Sequence, residues 1–286
     1  ANRLFSYLEA ILRVYNRHGR RDNIYKARIK ILVAALGAEE FARQVAEEWA
    51  KIGPEGDLPD TELARIRGAF ATTVFEALPA TSEVFETAKA ADPALARFAR
   101  NNLRPHKKPG YTIVEVSLKT IGDTPGDATS DQMDVIADLA ERYGQDDIRV
   151  THEQNLVLPH VRLDDVPEVF AQLQATGLAS ANVNLISDII ACPGLDYCAL
   201  ANARAIPVAQ QIAQTFADPD RAEAIGELKI KISGCINACG HHHVGHIGII
   251  GVDKKGEEFY QLTLGGSGAA DAAVGKMLGP ALPYDK

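Results

Sequence analysis

The sequence predicts an α+β protein in three segments: a mainly helical segment at 1–100, a ferredoxin-like (split βαβ) half-domain at 101–178, and an α/β segment at 179–286. Apolar residues recur at helical spacing through the first segment. The middle segment reads strand, helix, strand, strand, helix, which is the order of a split βαβ unit. In the last segment, short apolar strands run into two cysteine pairs. Because such scaffolds host many functions, the site has to be argued from its own residues.

The helical segment contains no cysteine, but it has a concentrated basic region. Helices are predicted at 4–50, 61–76 and 93–101, with a loop rich in glycine and proline at 52–59. The basic region interrupts the first helical run and consists of Arg17, His18, Arg20, Arg21, Lys26, Arg28 and Lys30. Because the formal net charge is −8, we expect an anionic ligand to be met by this local cluster. The same charge balance argues against a nucleic-acid partner.

The ferredoxin-like half-domain begins after residues 105–109, where the helical pattern ends. Its predicted elements are, in order, a strand at 111–118, a helix at 132–143, strands at 147–151 and 155–159, and a helix at 166–176. The stretch at 126–130 supplies an N-cap for the first of these helices.

The last segment places both cysteine pairs directly after predicted strands. The predicted strands lie at 186–191, 228–233, 244–252 and 259–264. A helix is predicted at 199–217, with a kink at Pro207. The tail after residue 264 has no evident closing element and the chain does not begin with methionine, so we expect a piece of a longer protein.

Composition excludes several classes of protein. The sequence contains no apolar run of the roughly 20 residues needed to cross a membrane, and no secretory signal at its start. No glycine-rich dinucleotide fingerprint follows a strand, so we expect no nicotinamide or flavin site. We expect a cytoplasmic protein without a membrane partner, in which thiols stay reduced.

The four cysteines form two clips: Cys192 and Cys198 with five residues between them, and Cys235 and Cys239 with three. Paired cysteines in a cytosolic protein hold metal more often than they form disulfides. Four thiolates suit an iron–sulfur cluster, and Gly194, Gly234 and Gly240 would permit close backbone approach to it. Structural zinc is the rival occupant, although only the second clip has the spacing that zinc sites favour. Unliganded or redox-active thiols are a third alternative.

The clips and their flanks resemble the two cysteine motifs of the sirohaem-dependent nitrite and sulfite reductases. That family has CxxxxxC followed, several tens of residues later, by CxNxC and glycine, and Asn237 and Gly240 match the second motif. The segment IRVTHEQNL at 148–156 is similar to the family's R-x-T-x-x-Q-N segment, and LGGS at 264–267 resembles its glycine pair. The resemblance covers most of the chain.

The resemblance implies a [4Fe–4S] cluster held by all four cysteines, with Cys239 also bound to the sirohaem iron and therefore catalytic. It implies six-electron reduction of sulfite to sulfide, or of nitrite to ammonia, as in sulfur assimilation, and we favour sulfite. Electrons would come from ferredoxin or an NADPH-dependent flavoprotein. The implied cofactor-binding residues are Arg20, Arg21, Lys26, Arg149, Thr151, Gln154, Asn155, Asn237, His241, His242, Gly265 and Gly266.

Each of these assignments has a plainer alternative. The basic cluster could be a solvated helix face, and residues 149–155 could serve a turn. The histidines between 241 and 246 could begin a strand or bind a separate metal. The whole cysteine set could belong to an iron–sulfur electron carrier or a zinc-stapled structural domain. The chain matches only the later part of the family pattern, without its first ferredoxin-like unit, so we expect the chain alone to be inactive.

Overall fold

The computed structural model describes residues 3–70 and 73–285, except for the side chain of Glu55. It separates into two compact units, Ala1–Val74 and Phe75–Lys286. The three-segment division drawn from the sequence stays a prediction, and the unit boundary lies earlier than residue 100 because later helices join the second unit's core. Within the described residues, no helix is both long enough and apolar enough to cross a membrane.

The first unit is helical, as the sequence predicts. Its helices are α1 (Leu4–His18), α2 (Ile29–Leu36), α3 (Ala38–Ile52) and α4 (Asp60–Ala69). Ala10 and Val14 of α1 pack against Val45 of α3, and the indole N–H of Trp49 donates to the Ser6 hydroxyl at 2.9 Å. The predicted helix at 61–76 is too long, because α4 ends before a β-branched and aromatic stretch of low helix propensity. Two of its predicted residues, 71 and 72, lie outside the described ranges.

The second unit begins with a four-stranded antiparallel sheet packed on helices. The helices are α5 (Glu83–Ala91), α6 (Pro93–Asn102), α7 (Ser130–Tyr143) and α8 (Val166–Ala175). The strands are β1 (Leu103–Pro105), β2 (Tyr111–Val116), β3 (Arg149–Val150) and β4 (Leu156–Arg162), in the order β1-β2-β4-β3. The predicted split βαβ order is therefore confirmed. An additional strand, β1, precedes this unit in the sequence and pairs with β2.

The core of this half-domain lies between the sheet and the helices. Val114 and Leu158 project from neighbouring strands against Ile136 of α7 and Leu173 of α8, and all are almost fully buried. Phe98 of α6 belongs to the same core, which is why α5 and α6 group with the second unit. Apolar residues alternate along β2 and recur at helical spacing in α7 and α8, so burial follows the sequence periodicity.

A five-stranded sheet completes the second unit. Its strands are β5 (Ile190–Ala191), β6 (Ile230–Ser233), β7 (Ile247–Lys254), β8 (Glu257–Leu264) and β9 (Lys276–Pro283), in sequential order. The β5-β6-β7 part is parallel, and β8 and β9 are antiparallel additions. Two helices accompany it, α9 (Ile206–Thr215) and α10 (Pro219–Ile225). Ala209 of α9 belongs to the same buried core as Ile232 and Ile249 of the sheet.

Four sequence-based predictions for the last segment are wrong. The strand predicted at 186–191 begins only at Ile190, because residues 183–187 form a turn, where Asp188 accepts the backbone N–H of Asn184. The helix at 199–217 begins only at Ile206, because Pro207 is tolerated in a first turn but disfavours helix before it. Val244 lies in a 3-10 turn, so the strand predicted from 244 starts at Ile247. The tail without an evident closing element forms β9, which pairs with β8.

Helix α7 offers a test of local stability. Thr129 accepts the backbone N–H of Gln132 at 3.2 Å, and the Gln132 side chain accepts the Thr129 N–H at 3.0 Å, which together form a capping box. We expect Thr129→Ala to lower the free energy of unfolding by about 1 kcal/mol, measured by urea denaturation. Thr87→Ala, at an exposed site inside α5, is the control and should change stability little. Equal losses in the two variants would contradict this assignment.

Candidate functional site

Both cysteine clips lie at the carboxyl ends of neighbouring parallel strands. Strand β5 leads directly into Cys192, and β6 is followed by Gly234 and Cys235. The backbone N–H of Cys192 donates to the carbonyl of Ile232 at 3.1 Å, so the pairing of β5 with β6 continues into the first clip. In open sheets with parallel strands, ligands bind outside the carboxyl ends of the strands. The fold therefore brings the two clips to the edge where a bound group is expected.

Glycines allow both clips to pack closely against the backbone that surrounds them. A Cβ on Gly234 would lie 2.6 Å from the Ala203 carbonyl oxygen, and one on Gly194 would lie 2.5 Å from the Ala205 nitrogen. Gly194 also has a φ of +60°, which side chains with a Cβ rarely adopt. A Cβ on Gly240 would lie 1.9 Å from the Ile232 carbonyl oxygen. Glycine is thus required at these three positions for packing between backbone segments, and the predicted approach of the glycines to a cluster stays a prediction.

The sulfur atoms differ in their surroundings. All four cysteines are free thiols; Cys192 and Cys235 are buried, Cys198 is half-buried and Cys239 is exposed. The Sγ of Cys192 accepts the backbone N–H of Gly234 at 3.0 Å. Backbone N–H groups that donate to sulfur stabilise the thiolate form and tune the potential of a cluster.

The residues present fit an iron–sulfur cluster in their donor chemistry: four free thiols, a glycine-lined backbone and an N–H aimed at sulfur. Across residues 3–70 and 73–285, no three His, Cys, Asp or Glu side chains lie close enough together to hold a metal ion. The fold places the two clips next to each other, but among the described residues no three of their sulfur atoms lie close enough together to bind one metal ion. The assignment of Cys192, Cys198, Cys235 and Cys239 as ligands stays a prediction.

The turn between β3 and β4 contacts the first clip through Gln154. Its side-chain amide donates to the Ala191 carbonyl at 2.9 Å and accepts the Ala191 N–H at 3.1 Å, on the residue immediately before Cys192. Thr151 accepts the Asn155 N–H at 3.2 Å, which is turn chemistry. Arg149 is exposed and pairs with Asp147 at 2.6 Å. The cofactor contacts predicted for Arg149, Thr151 and Gln154 stay predictions.

A buried ion pair, which sequence reasoning missed, lies next to this turn. Lys119 Nζ is 2.9 Å from Asp188 Oδ1, and both side chains are 2% exposed. Asn155, predicted to contact the cofactor, accepts from Lys119 at 2.8 Å and donates to Asp188 at 3.0 Å, so that prediction also stays untested. Burial lowers the pKa of Lys119, and the Asp188 carboxylate opposes that effect. The sequence did contain one indication of this ion pair. Asp188 is a single carboxylate inside the mainly apolar run from Leu185 to Ala191, and a buried carboxylate needs a partner.

The histidine segment after the second clip forms a turn. His241 is exposed, with a φ of +54°, and His242–Val244 is a 3-10 turn, so the alternative that these residues begin a strand is wrong. His242 is buried and its Nδ1 has no hydrogen-bond partner. Burial and the neighbouring His243 lower the pKa of His242. Its ring is therefore favoured in the neutral form.

The glycine pair packs on this turn. Gly265 N–H donates to the His246 carbonyl at 2.9 Å, and Gly266 N–H donates to the Gly245 carbonyl at 3.1 Å. Asn237 is exposed within the second clip. The fold thus brings Gly265 and Gly266 to the histidine turn, while cofactor binding by these residues, by Asn237 and by the histidines stays a prediction.

The predicted basic residues of the first unit are exposed. Arg20 donates to Asp22 at 2.6 Å and lowers the pKa of that carboxyl to about 2. Arg21 donates to the Asn16 side chain at 2.6 Å, and its guanidinium lies 5.2 Å from the centroid of the Tyr15 ring. Lys26 ends a 3-10 turn. Their predicted role in cofactor binding stays untested.

Two family models match the chain. The "Nitrite and sulphite reductase 4Fe-4S domain" matches residues 1–52 and 183–285, and the "Nitrite/Sulfite reductase ferredoxin-like half domain" matches residues 104–176. The cysteine clips thus lie in an iron–sulfur domain attached to a ferredoxin-like half-domain. The chain belongs to the nitrite and sulfite reductase family. The sequence-based assignment is confirmed, and so are the family's cofactors, a [4Fe–4S] cluster and sirohaem.

Individual relatives are more distant. The chain is 27% identical over 279 residues to a ferredoxin–nitrite reductase of Synechococcus elongatus, covering 93% of this chain and 45% of that protein. It is 28% identical over 280 residues to a ferredoxin sulfite reductase of Mycolicibacterium paratuberculosis, covering 94% and 43%. The solved structure of the Mycobacterium tuberculosis NirA protein matches with a TM-score of 0.66 at 23% identity, covering 99% and 47%, and supports the fold. The chain thus spans less than half the length of these relatives.

The close packing of Gly194 against the backbone of residues 203–205 generates a prediction. We expect Gly194→Ala to lower the free energy of unfolding by about 1–3 kcal/mol, because the new methyl group meets backbone at a strained φ. Gly177→Ala is the matched control, since its φ is +74° but nothing lies within 4 Å of the added Cβ. Urea denaturation measures both. If the two variants lose the same stability, strain alone accounts for Gly194 and the close contact is unimportant.

Proposed function

We propose that this chain is the cluster-binding part of a sirohaem-dependent reductase that converts sulfite to sulfide, or nitrite to ammonia, in six electrons. The observation that carries the proposal is the position of both cysteine clips at the carboxyl ends of β5 and β6. The family membership of the chain supports the same chemistry. Because the relatives are more than twice as long, the activity belongs to a protein that also supplies the rest of the family pattern.

In this proposal the four cysteines would hold the cluster, and Cys239 would also be a ligand of the sirohaem. Cys192, Cys198 and Cys235 are wholly or partly withdrawn from solvent, whereas Cys239 is exposed. A thiolate sulfur has spare lone pairs, so an exposed sulfur suits a ligand shared between two metal centres. When bound, the cluster and the sirohaem would supply electrons one at a time for the reduction of a small anion.

The basic residues of the chain hold anionic groups in this proposal. Arg20, Arg21 and Lys26 bind carboxylates of the macrocycle through charge-assisted hydrogen bonds, which suit exposed guanidinium and ammonium groups. Arg149 releases Asp147 and binds a carboxylate of the macrocycle instead. His241 or His242, in the turn after Cys239, forms a further contact with these carboxylates. The remaining contacts come from Thr151, Gln154, Asn155, Asn237, Gly265 and Gly266.

Sulfite is the proposed substrate, with nitrite as the second candidate, and reduced ferredoxin is the proposed electron donor. Relatives named for nitrite and for sulfite match this chain at nearly equal identity, and both names include ferredoxin. An NADPH-dependent flavoprotein is the alternative donor. The proposed location is the cytoplasm. Steady-state comparison of the two anions with the complete protein decides between the substrates.

Metal analysis tests the cofactor assignment. We expect the complete protein to contain iron, acid-labile sulfide and the absorption bands of sirohaem. Iron and sulfide without a macrocycle would indicate an electron carrier, and zinc would indicate a structural staple. Either result contradicts the proposed reductase.

The bridging role of Cys239 has its own test. We expect Cys239→Ala in the complete protein to abolish the magnetic coupling between cluster and macrocycle, because the shared sulfur is lost. Electron paramagnetic resonance measures the coupling. Cys192→Ala is the comparison, since it should instead impair iron loading itself. Undiminished coupling in Cys239→Ala would exclude this residue as the bridge.

The chain by itself is expected to be inactive. With a reduced viologen dye as donor, we expect residues 1–286 alone to reduce neither sulfite nor nitrite at a useful rate, whereas the complete protein should. The physical reason is that anion-binding groups of the missing first half are needed to position the substrate. Sulfide and ammonia assays measure the products. Comparable turnover by the chain alone would show that its own residues complete the site.

A further inference from the structure

Lys119 lies three residues beyond the end of β2 and is buried. Its ammonium donates to Asp188 Oδ1 at 2.9 Å, to Asn155 Oδ1 at 2.8 Å and to the backbone carbonyl of Glu153. A lysine ammonium has three N–H donors, so its capacity is filled by these partners. The partners come from two segments that are distant in sequence, the turn at 151–155 and the approach to β5.

Asp188 fixes the segment that leads into the first clip. Its Oδ2 accepts the backbone N–H of Asn184 at 2.8 Å, and its Oδ1 accepts the Asn155 side-chain amide at 3.0 Å in addition to Lys119. Only Ile189, β5 and then Cys192 follow. The buried carboxylate therefore anchors the chain four residues before the first cysteine.

Strand β5 depends on outside support, because it has only two residues. One edge pairs with β6, and on the other edge the Gln154 amide makes the two hydrogen bonds to Ala191 that a further strand would make. Gln154 lies between the two residues of the turn that Lys119 holds, Glu153 and Asn155. Lys119 therefore supports both ends of β5. It does so through its bond to Asp188 before the strand, and indirectly through Gln154, which bonds Ala191 at the end of the strand.

We infer that Lys119 is a positioning residue for Cys192: its buried ammonium holds Asp188 and the 151–155 turn so that the first clip stays seated against Gly234. The relevance of this role to catalysis rests on the proposed function, but the positioning itself is a property of the metal-free chain. Removal of the ammonium leaves the Asp188 carboxylate buried without its cation, which is strongly destabilising at that point. The expected consequence is local opening around β5 and exposure of the Cys192 thiol.

Thiol labelling of the reduced, metal-free chain tests the inference. The probe is iodoacetamide, and the rate at each cysteine is read by mass spectrometry of peptides. We expect Lys119→Met to raise the labelling rate of Cys192 by about tenfold or more, since a buried thiol reacts only when its surroundings open. The exposed Cys239 should change little. Lys119→Arg, which keeps the positive charge, should restore much of the protection.

Two further variants separate positioning from general stability. Arg104→Met removes a half-buried ion pair with Glu115 in the same four-stranded sheet and should leave Cys192 protected. Gln154→Ala removes the grip on Ala191 without leaving a buried charge, so it remains informative if Lys119→Met fails to fold. We expect Gln154→Ala to expose Cys192 while the circular dichroism spectrum stays native.

The outcomes are distinguishable from failure of the proposed function. Unchanged Cys192 labelling in a folded Lys119→Met or Gln154→Ala variant overturns the inference, as does equal exposure in Arg104→Met. Lack of rescue by Lys119→Arg overturns the role of the charge. Reconstitution of the unaltered complete protein with iron and sulfide is the separate arm: absence of a cluster there rejects the proposed function and leaves the labelling result standing.

Discussion

The candidate site depends on the parallel pairing of β5 with β6. This pairing carries two distant cysteine clips to one edge of a sheet, and the hydrogen bond from Gly234 to the Cys192 sulfur continues it beyond the last paired residues. The contact requires glycine, because a Cβ at Gly234 would overlap the Ala203 carbonyl oxygen. A two-residue strand cannot secure such an arrangement alone, so the rest of the second unit has to hold β5 in place.

The ferredoxin-like half-domain provides that support through polar contacts. Gln154 occupies the free edge of β5, and Lys119, Asn155 and Asp188 form a buried network behind it. Burial of a charged pair is costly, and its attraction offsets that cost only when the remaining hydrogen bonds are satisfied, as they are here. The half-domain therefore helps to hold β5, the strand that leads into Cys192, in addition to serving as a scaffold. Turn residues that resemble cofactor contacts in sequence use their side chains on protein groups in this structure.

Exposed arginines among the proposed cofactor-binding residues are paired with carboxylates of the protein itself. The chain is negative overall, and the exposed Arg20 and Arg149 are paired with Asp22 and Asp147. Exposed ion pairs of this kind contribute little to stability, so exchanging the aspartate for a ligand carboxylate costs little. His242 differs from these arginines, because burial favours its neutral form. A neutral ring is better suited to hydrogen bonding than to pairing with a charge.

The sequence by itself predicted the fold class and the order of elements along the half-domain, because hydrophobic periodicity is a local pattern. It pointed to the family through the resemblance of its cysteine motifs. It also singled out Gly194, Gly234 and Gly240, although for approach to a cluster, whereas the structure shows them packed against protein backbone. Only the tertiary structure decided that the tail forms β9 and that Lys119 meets Asp188. The first depends on pairing with β8, and the second joins residues 69 positions apart. A pairing of that kind leaves no periodic trace in the sequence, since it is produced by the chain's path through space.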